Sequence, residues 1–157
     1  MSSSPGLRLV VDVSRQAAEL RRDGEVVWSA PVSTSRHGLG EEEGSLKTPR
    51  GLHRVAEKIG AGMASGTRFV SRRPTGEVWT PELPPAEDDW VLTRILWLEG
   101  MEPRNANSKA RYIYLHGTNR EDRIGAPASI GCVRFRNADV AALFERVEIG
   151  TPVEIVE

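Results

Sequence analysis

Only one stretch of this chain carries a helical period. In NADVAALFERVEIG, residues 137–150, the apolar residues Val140, Leu143, Phe144 and Val147 fall at i, i+3, i+4 and i+7, the stripe of an amphipathic helix. Asn137 is placed to cap its start, and Gly150 lies just past its end. The other apolar runs are short and bounded by turn residues. LRLVVDV, GLHRVAEK, VLTRILWLEG and TPVEIVE read as strands, and AELRRDGEVVWSAPVST holds an Asp23-Gly24 pair between two β-prone runs, a hairpin signal. In RYIYLHG the alternation puts Tyr112, Tyr114 and His116 on one face and Ile113 and Leu115 on the other. Strands outnumber helices, so the expected class is a mainly-β sandwich or barrel with one helix in the C-terminal half.

SRHGLGEEEGSLKTPRG reads as a loop. From residue 57 to residue 92 no period persists, and glycines and prolines break the pattern. This segment is expected to be a long irregular excursion. Loops of that length in a compact domain often line a site. Two of the four tryptophans, Trp79 and Trp90, lie in it and are expected to anchor it to the body.

At 157 residues the chain fits one domain, residues 1–157, with a core of its own. A net charge of −1 gives no electrostatic footprint for nucleic acid or a membrane surface. No apolar run approaches the ~20 residues of a transmembrane helix. The start, MSSSPGLRLVVDVSRQ, lacks a basic region followed by an apolar one, so the sequence as written reads as cytoplasmic, or as an envelope protein if it is a piece of a longer chain. The three histidines, at 37, 53 and 116, and the single Cys132 match no zinc spacing, and no metal or organic cofactor is expected.

That lone cysteine sits in HGTNREDRIGAPASIGCVRF, sixteen residues past His116. If the segment is extended, Val133 and Phe135 enter the core and Cys132 shares the outer face with Arg134 and Arg136. Guanidinium charge favours thiolate over thiol. Gly131 lets backbone N–H groups turn toward a bound carbonyl. An imidazole at a strand end can take the thiol proton and return it to a leaving amine. A buried, inert cysteine in a structural β-domain is the competing reading. His37, in a charged loop, and His53, within a strand, are given no role.

The segment RYIYLHGTNREDRIGAPASIGCVRFRNADVAALFERVEIGTPVEI resembles the C-terminal half of L,D-transpeptidase catalytic domains, the YkuD family. PVSTS, KTPRG and RILWLEGMEP look like family blocks in family order, and the resemblance runs from about Leu7 to Ile155. It implies a mainly-β sandwich whose catalytic cysteine lies in a cleft under a mobile flap, here residues 57–92. By matching motif, Cys132 resembles the nucleophile, His116 the base, and Gly117 the residue whose carbonyl orients the imidazole. Ser129, Ile130, Gly131 and Arg134 would line the acyl pocket, with Tyr114 on the cleft wall. The family usually reads Ser-His-Gly-Cys, whereas this chain reads Ser129-Ile130-Gly131-Cys132, so one imidazole donor is missing.

The resemblance implies peptidoglycan stem peptides or muropeptides as substrate. Cys132 would attack the carbonyl of the diamino acid, releasing D-Ala and leaving a thioester. An amine acceptor then gives a 3–3 cross-link. The alternatives are a cytoplasmic L,D-carboxypeptidase, in which water is the acceptor, and a muropeptide-binding module without catalysis.

Overall fold

The computed structural model describes residues 6–84, 86 and 89–157. Residues 1–5, part of the stretch from which a leader was judged, and residues 85, 87 and 88 of the expected flap lie outside the described residues. Ten strands form one sheet: β1 Leu7–Asp12, β2 Ala17–Arg22, β3 Glu25–Ser33, β4 Gly51–Ile59, β5 Thr67–Val70, β6 Arg73–Val78, β7 Val91–Gly100, β8 Tyr114–Gly117, β9 Val133–Phe135 and β10 Pro152–Val156. The single α-helix among the described residues, α1, spans Asn137–Arg146. The mainly-β class with one helix is as expected. Strand order is β4-β10-β1-β2-β3-β9-β8-β7-β5-β6, and β4 also pairs with β7. That extra pairing rolls the sheet closed and leaves β5 and β6 as a hairpin projecting from β7.

The interior is filled by the inward face of each strand, among them Leu9, Val11, Leu20, Val32, Leu96, Leu98, Leu115, Val133 and Phe135. Helix α1 adds Val140, Leu143 and Phe144 to the same core, packing on β7 and β8. Each fully buried aliphatic or aromatic side chain stabilises by roughly 1.5–3 kcal/mol through removal of its surface from water. A second, smaller cluster of Phe69, Ile95 and Tyr114 lies beneath the hairpin, with Trp97 and Cys132 packed against it.

Two hairpins turn through residue pairs with positive φ, as the twist of paired strands demands. Asp23 and Gly24 have φ of 50° and 87°, where the sequence signalled a turn. Ser71 and Arg72, at 50° and 66°, join β5 to β6 without a glycine. The expectation of an irregular excursion over 57–92 is therefore corrected. β4 runs on to Ile59, β7 begins at Val91, and a hairpin stands between them. Pro74 and Gly76 hid β6 from a pattern search, yet an exposed edge strand tolerates both. The Trp79 backbone N–H donates to the Gly66 carbonyl at 2.9 Å and Arg68 lies 4.0 Å over the Trp90 ring, both within the segment, while the Trp90 backbone N–H donates to Asn119 Oδ1 at 2.9 Å and so ties it to the residues after β8.

The expected cap of α1 is also corrected. Asn137 is the first helical residue and Arg136 occupies the cap position, with no side-chain cap bond. The Glu121 carboxylate accepts the Asn137 backbone N–H at 2.8 Å instead, a favourable placement of negative charge at a helix start. The freed Asn137 amide ties three segments together. It donates to the Thr118 carbonyl and to Glu121, both at 2.9 Å, and accepts from Thr93 Oγ1 at 2.6 Å. At the far end Lys58 Nζ donates to the Phe144 and Val147 carbonyls at 2.6 and 2.7 Å, so the helix stops on a cation. Replacing Asn137 by Ala is expected to cost roughly 1–3 kcal/mol by stranding buried partners. Asn137→Asp, which loses both donors and adds charge beside Glu121, should cost more. Urea unfolding of the two variants checks that order.

Candidate active site

β8 and β9 pair in parallel, with Leu115 opposite Val133, His116 opposite Arg134 and Gly117 opposite Phe135. Cys132, one residue before β9, thus comes level with Tyr114 at the start of β8. The contact is direct: the Tyr114 backbone N–H donates to Cys132 Sγ at 3.3 Å. Side chains alternate along both strands, so Tyr114, His116, Cys132 and Arg134 face away from the core that Leu115, Val133 and Phe135 enter. Cys132 and His116 therefore share a face on the diagonal of adjacent strands.

His116 is 1% exposed. Its Nδ1 lies 2.6 Å from the Gly117 carbonyl, which can only accept, so Nδ1 carries the hydrogen and Nε2 keeps its lone pair. Burial holds the imidazole below its ordinary basicity, against the pull of Asp89. Gly117 has no room for a side chain, because a Cβ there would stand 2.3 Å from Asn137 Oδ1 and 2.8 Å from the Leu92 carbonyl. The orienting carbonyl is thereby locked in place.

Cys132 is a half-buried free thiol. Its Sγ donates to the Tyr112 carbonyl at 3.3 Å. Among the described residues no hydrogen bond joins it to His116. Loss of solvation pushes the thiol up to about 12, with a smaller upward push from Asp89. The Tyr114 N–H, Arg134 and Arg111 pull the other way and lose. Arginine charge thus acts on this thiol in the expected direction, but it does not decide the outcome, because burial outweighs it. Arg136 is exposed, and the Arg134 guanidinium is already engaged by Asp89 at 3.0 Å.

A cleft of about 280 Å³ opens over the sulfur, lined by Glu43, Leu46, Arg111, Tyr112, Ile130 and Cys132 among others. On the other side of Cys132 stands the β5–β6 hairpin. Arg72 at its tip donates to the Tyr114 hydroxyl at 3.1 Å and lies over the Trp97 and Tyr112 rings at 4.9 and 5.2 Å. Trp97 meets Tyr114 edge-on at 5.6 Å. The guanidinium thus latches the hairpin to an aromatic platform beside Cys132, an arrangement worth ~0.5–2 kcal/mol per ring. Among the described residues no group of three or more His, Cys, Asp or Glu side chains is placed to hold a metal.

Residues 6–155 match the family model described as the L,D-transpeptidase catalytic domain. The chain belongs to this family. It is 47% identical over 47 residues to probable L,D-transpeptidase YbiS of Escherichia coli strain K12, a stretch covering 30% of this chain and 15% of that protein. It is 31% identical over 96 residues to probable L,D-transpeptidase ErfK/SrfK of Salmonella typhimurium, covering 56% of this chain and 30% of that protein. The chain thus spans less than a third of the length of these curated relatives. An L,D-transpeptidase of Xylanimonas cellulosilytica superposes with a TM-score of 0.60 and 23% identity, over 98% of this chain and 61% of that one. L,D-transpeptidase 3 of Mycobacterium tuberculosis, bearing a faropenem-derived adduct, gives 0.61 at 18% identity, over 98% and 61%. At such identities the likeness is one of fold.

Within this L,D-transpeptidase domain the pocket residues expected from the motif divide into two groups. Ile130, Gly131 and Cys132 line the cleft. Ser129 does not. It is 1% exposed, and its Oγ donates to the Cys132 carbonyl at 2.7 Å, which closes the turn before the cysteine. The Gly131 N–H, expected to face a substrate carbonyl, points to that same Oγ at 3.3 Å. Gly131 instead supplies a φ of 137° that other residues rarely adopt, and its carbonyl accepts from Thr48 Oγ1 at 2.9 Å. Arg134 lies beneath the site, tying Asp89 and Ser33 to β9, and Tyr114 is covered by the hairpin latch. Arg111, Arg72 and Thr48 were not singled out in the sequence, since charged and hydroxyl residues in loops carry no period. His53 is fully buried between the Gly51 carbonyl and Ser108 Oγ, at 3.0 and 2.9 Å.

Two outcomes follow from these environments. With the thiol raised from 9.0 to about 12, the thiolate fraction at neutral pH is about a thousandfold below that of a free cysteine. Iodoacetamide should therefore modify Cys132 far more slowly in the folded protein than in urea. Burial lowers both His53 and His116 below the ordinary value of 6.5. As pH falls through 6.5 the unfolded chain takes up protons that the folded chain refuses, so stability is present above that pH and is lost below it. The melting temperature should drop between pH 7.5 and 5.5, before the carboxylates titrate. A flatter drop in His53→Gln checks that share.

Proposed function

We propose that this domain is a cysteine-dependent acyltransferase acting on peptidoglycan stem peptides, with Cys132 as nucleophile and His116 as its base. The observation that carries the reading is the 2.6 Å bond from His116 Nδ1 to the Gly117 carbonyl. It fixes the tautomer whose Nε2 accepts a proton, on the same sheet face as the only cysteine. Membership of the L,D-transpeptidase family supports the substrate class.

In the resting site the sulfur is protonated and held between the Tyr112 carbonyl and the Tyr114 N–H. A thiol pushed to about 12 beside an imidazole pushed down does not form an ion pair at rest. Proton transfer then accompanies attack. Nε2 takes the Sγ hydrogen as the sulfur lone pair adds to the carbonyl carbon of the third stem residue. The C–N bond to D-Ala breaks, and the Nε2 hydrogen passes to the departing amine nitrogen. A thioester remains on Cys132, and an incoming amine or water gives its proton to Nε2 and resolves it. Access to His116, which is closed off here, requires the β5–β6 hairpin to lift and Arg72 to leave its aromatic platform. Of the expected flap, 57–92, the β5–β6 hairpin is the part that moves in this reading, and residues 6–155 act as one catalytic unit. No helix among the described residues is long and apolar enough to cross a membrane, and neither the fold nor the relatives support the cytoplasmic placement.

Incubation with a tetrapeptide stem, with and without an acceptor amine, tests the proposal. Release of D-Ala is expected from the wild type and not from Cys132→Ala, and His116→Ala should lower kcat by roughly 10²–10⁴. A carbapenem should add its mass to the wild type alone. A cross-linked product marks amine transfer, and tripeptide alone marks hydrolysis. Peptide binding without D-Ala release or acylation would leave a binding module.

A further inference from the structure

We propose that Thr93 is a positioning residue for His116: its hydroxyl, bound at the base of the β5–β6 hairpin, fixes the Asn137 amide against Gly117 and so keeps the imidazole hydrogen on Nδ1. This rests on the acyl-transfer reading, in which His116 Nε2 is the base.

The backbone at Thr93 is the first observation. A β-branched residue seldom takes a positive φ, yet Thr93 has a φ of 75° and is fully buried. It lies where β7 changes neighbours. Val91 and Leu92 pair with β5, whereas β4 pairs from Ile95 onward, and the β7–β8 register shifts between Leu92 and Ile95. The Thr93 carbonyl accepts from the Arg94 guanidinium at 2.6 Å. A glycine would adopt this backbone without strain, so it is the side chain that the strain serves to keep. Enforced strain of this kind gathers at functional sites.

What that side chain holds is the second. The Gly66 N–H can only donate, and it gives its hydrogen to Thr93 Oγ1 at 2.9 Å. The hydroxyl hydrogen is then free for Asn137 Oδ1, at 2.6 Å. Gly66 also accepts from the Trp79 N–H at 2.9 Å, so both ends of the hairpin close beside this hydroxyl. Asn137 Oδ1 in turn backs Gly117, where a Cβ would meet it at 2.3 Å and the Leu92 carbonyl at 2.8 Å. Both contacts run through Thr93, one by its hydroxyl and the other by the peptide unit that enters it. Gly117 carries the carbonyl that takes the Nδ1 hydrogen at 2.6 Å. Which nitrogen of a neutral imidazole is protonated follows from the bond the other one makes. Loosening Gly117 therefore lets the hydrogen move to Nε2, and an imidazole protonated there cannot accept from the thiol. The lift of the hairpin at Ser71 and Arg72 pivots on a base that stays joined to this support.

Nitrogen NMR of the histidine-labelled protein at about pH 8 reads the hydrogen directly, with His37→Gln and His53→Gln assigning the signals. The wild type is expected to carry it on His116 Nδ1 alone. Thr93→Val keeps the shape and loses the hydroxyl. Thr93→Gly loses the hydroxyl and relieves the backbone, which keeps the test open should Thr93→Val fail to fold. Both should share the His116 hydrogen between Nδ1 and Nε2. Both should also lower kcat for D-Ala release at least about tenfold, with KM held within about twofold. Thr93→Ser retains the hydroxyl and should keep the hydrogen on Nδ1 and kcat within about threefold of the wild type. A hydrogen that stays on Nδ1 in Thr93→Val and Thr93→Gly overturns the positioning role. So does a Thr93→Ser as slow as Thr93→Val, or a loss confined to KM. Absence of D-Ala release from the wild type overturns acyl transfer, and the NMR comparison still decides the role of Thr93.

Discussion

The parallel pairing of β8 with β9 is the constraint on which the site depends. Parallel neighbours cannot be joined by a tight turn, since the chain must cross back before it can run in the same direction. Residues 118–132 make that return. The fifteen residues between His116 and Cys132 are therefore the length of a crossover, and the crossover delivers the cysteine to the starting end of β8. Register does the rest. With His116 opposite Arg134, the cysteine two residues earlier falls on the same face as the imidazole, and a slip of one residue would send it into the core among Val133 and Phe135. Ser129, Thr48 and Asn137 hold that register from outside the strands, bonding the turn before Cys132, the Gly131 carbonyl and the end of β8.

Around this frame the protein withholds charge. Desolvation outweighs Arg134 and Arg111 at the thiol and outweighs Asp89 at the imidazole, so Cys132 and His116 are both neutral at rest. Arg134 is nearer to Asp89 than its role in the motif suggested. The ion pair joins β9 to the segment leading into β7 and carries charge through a buried place. Removing one partner of such a pair costs about 3–5 kcal/mol, which makes Arg134 a structural residue of the site's floor.

The sequence was legible where a residue type had one job. Asp23-Gly24 could only be a tight turn, Val140 to Val147 could only be one helix face, and Val133 and Phe135 alternate as a half-buried strand must. Legibility ended where a residue answered to distant partners. Ser71 and Arg72 turn a hairpin without glycine because Arg72 is held from across the cleft, and Pro74 is tolerated only because β6 has nothing beyond it. Asn137 gave up the cap it was suited for because Glu121, sixteen residues earlier, supplies it. Ser129 matched a motif position, yet its hydroxyl is spent on the turn. Cys132 and His116 could be named from the motif, but the state of the sulfur depends on the surface that burial removes, which no local pattern encodes.

The closure of the sheet through β4 and β7 bears on how this chain behaves in company. A sheet rolled into a ring offers few unpaired rows of amides, and such rows are where strands of separate molecules join into fibrils. Among the described residues β6 is the strand left at an open margin, and it runs Arg-Pro-Thr-Gly-Glu-Val, exposed throughout. Proline withholds an amide, glycine weakens extended structure, and the two charges resist stacking on a like neighbour. The strand that the proposed mechanism asks to swing is thus also the one least able to recruit another copy, so mobility there would carry little hazard of aggregation.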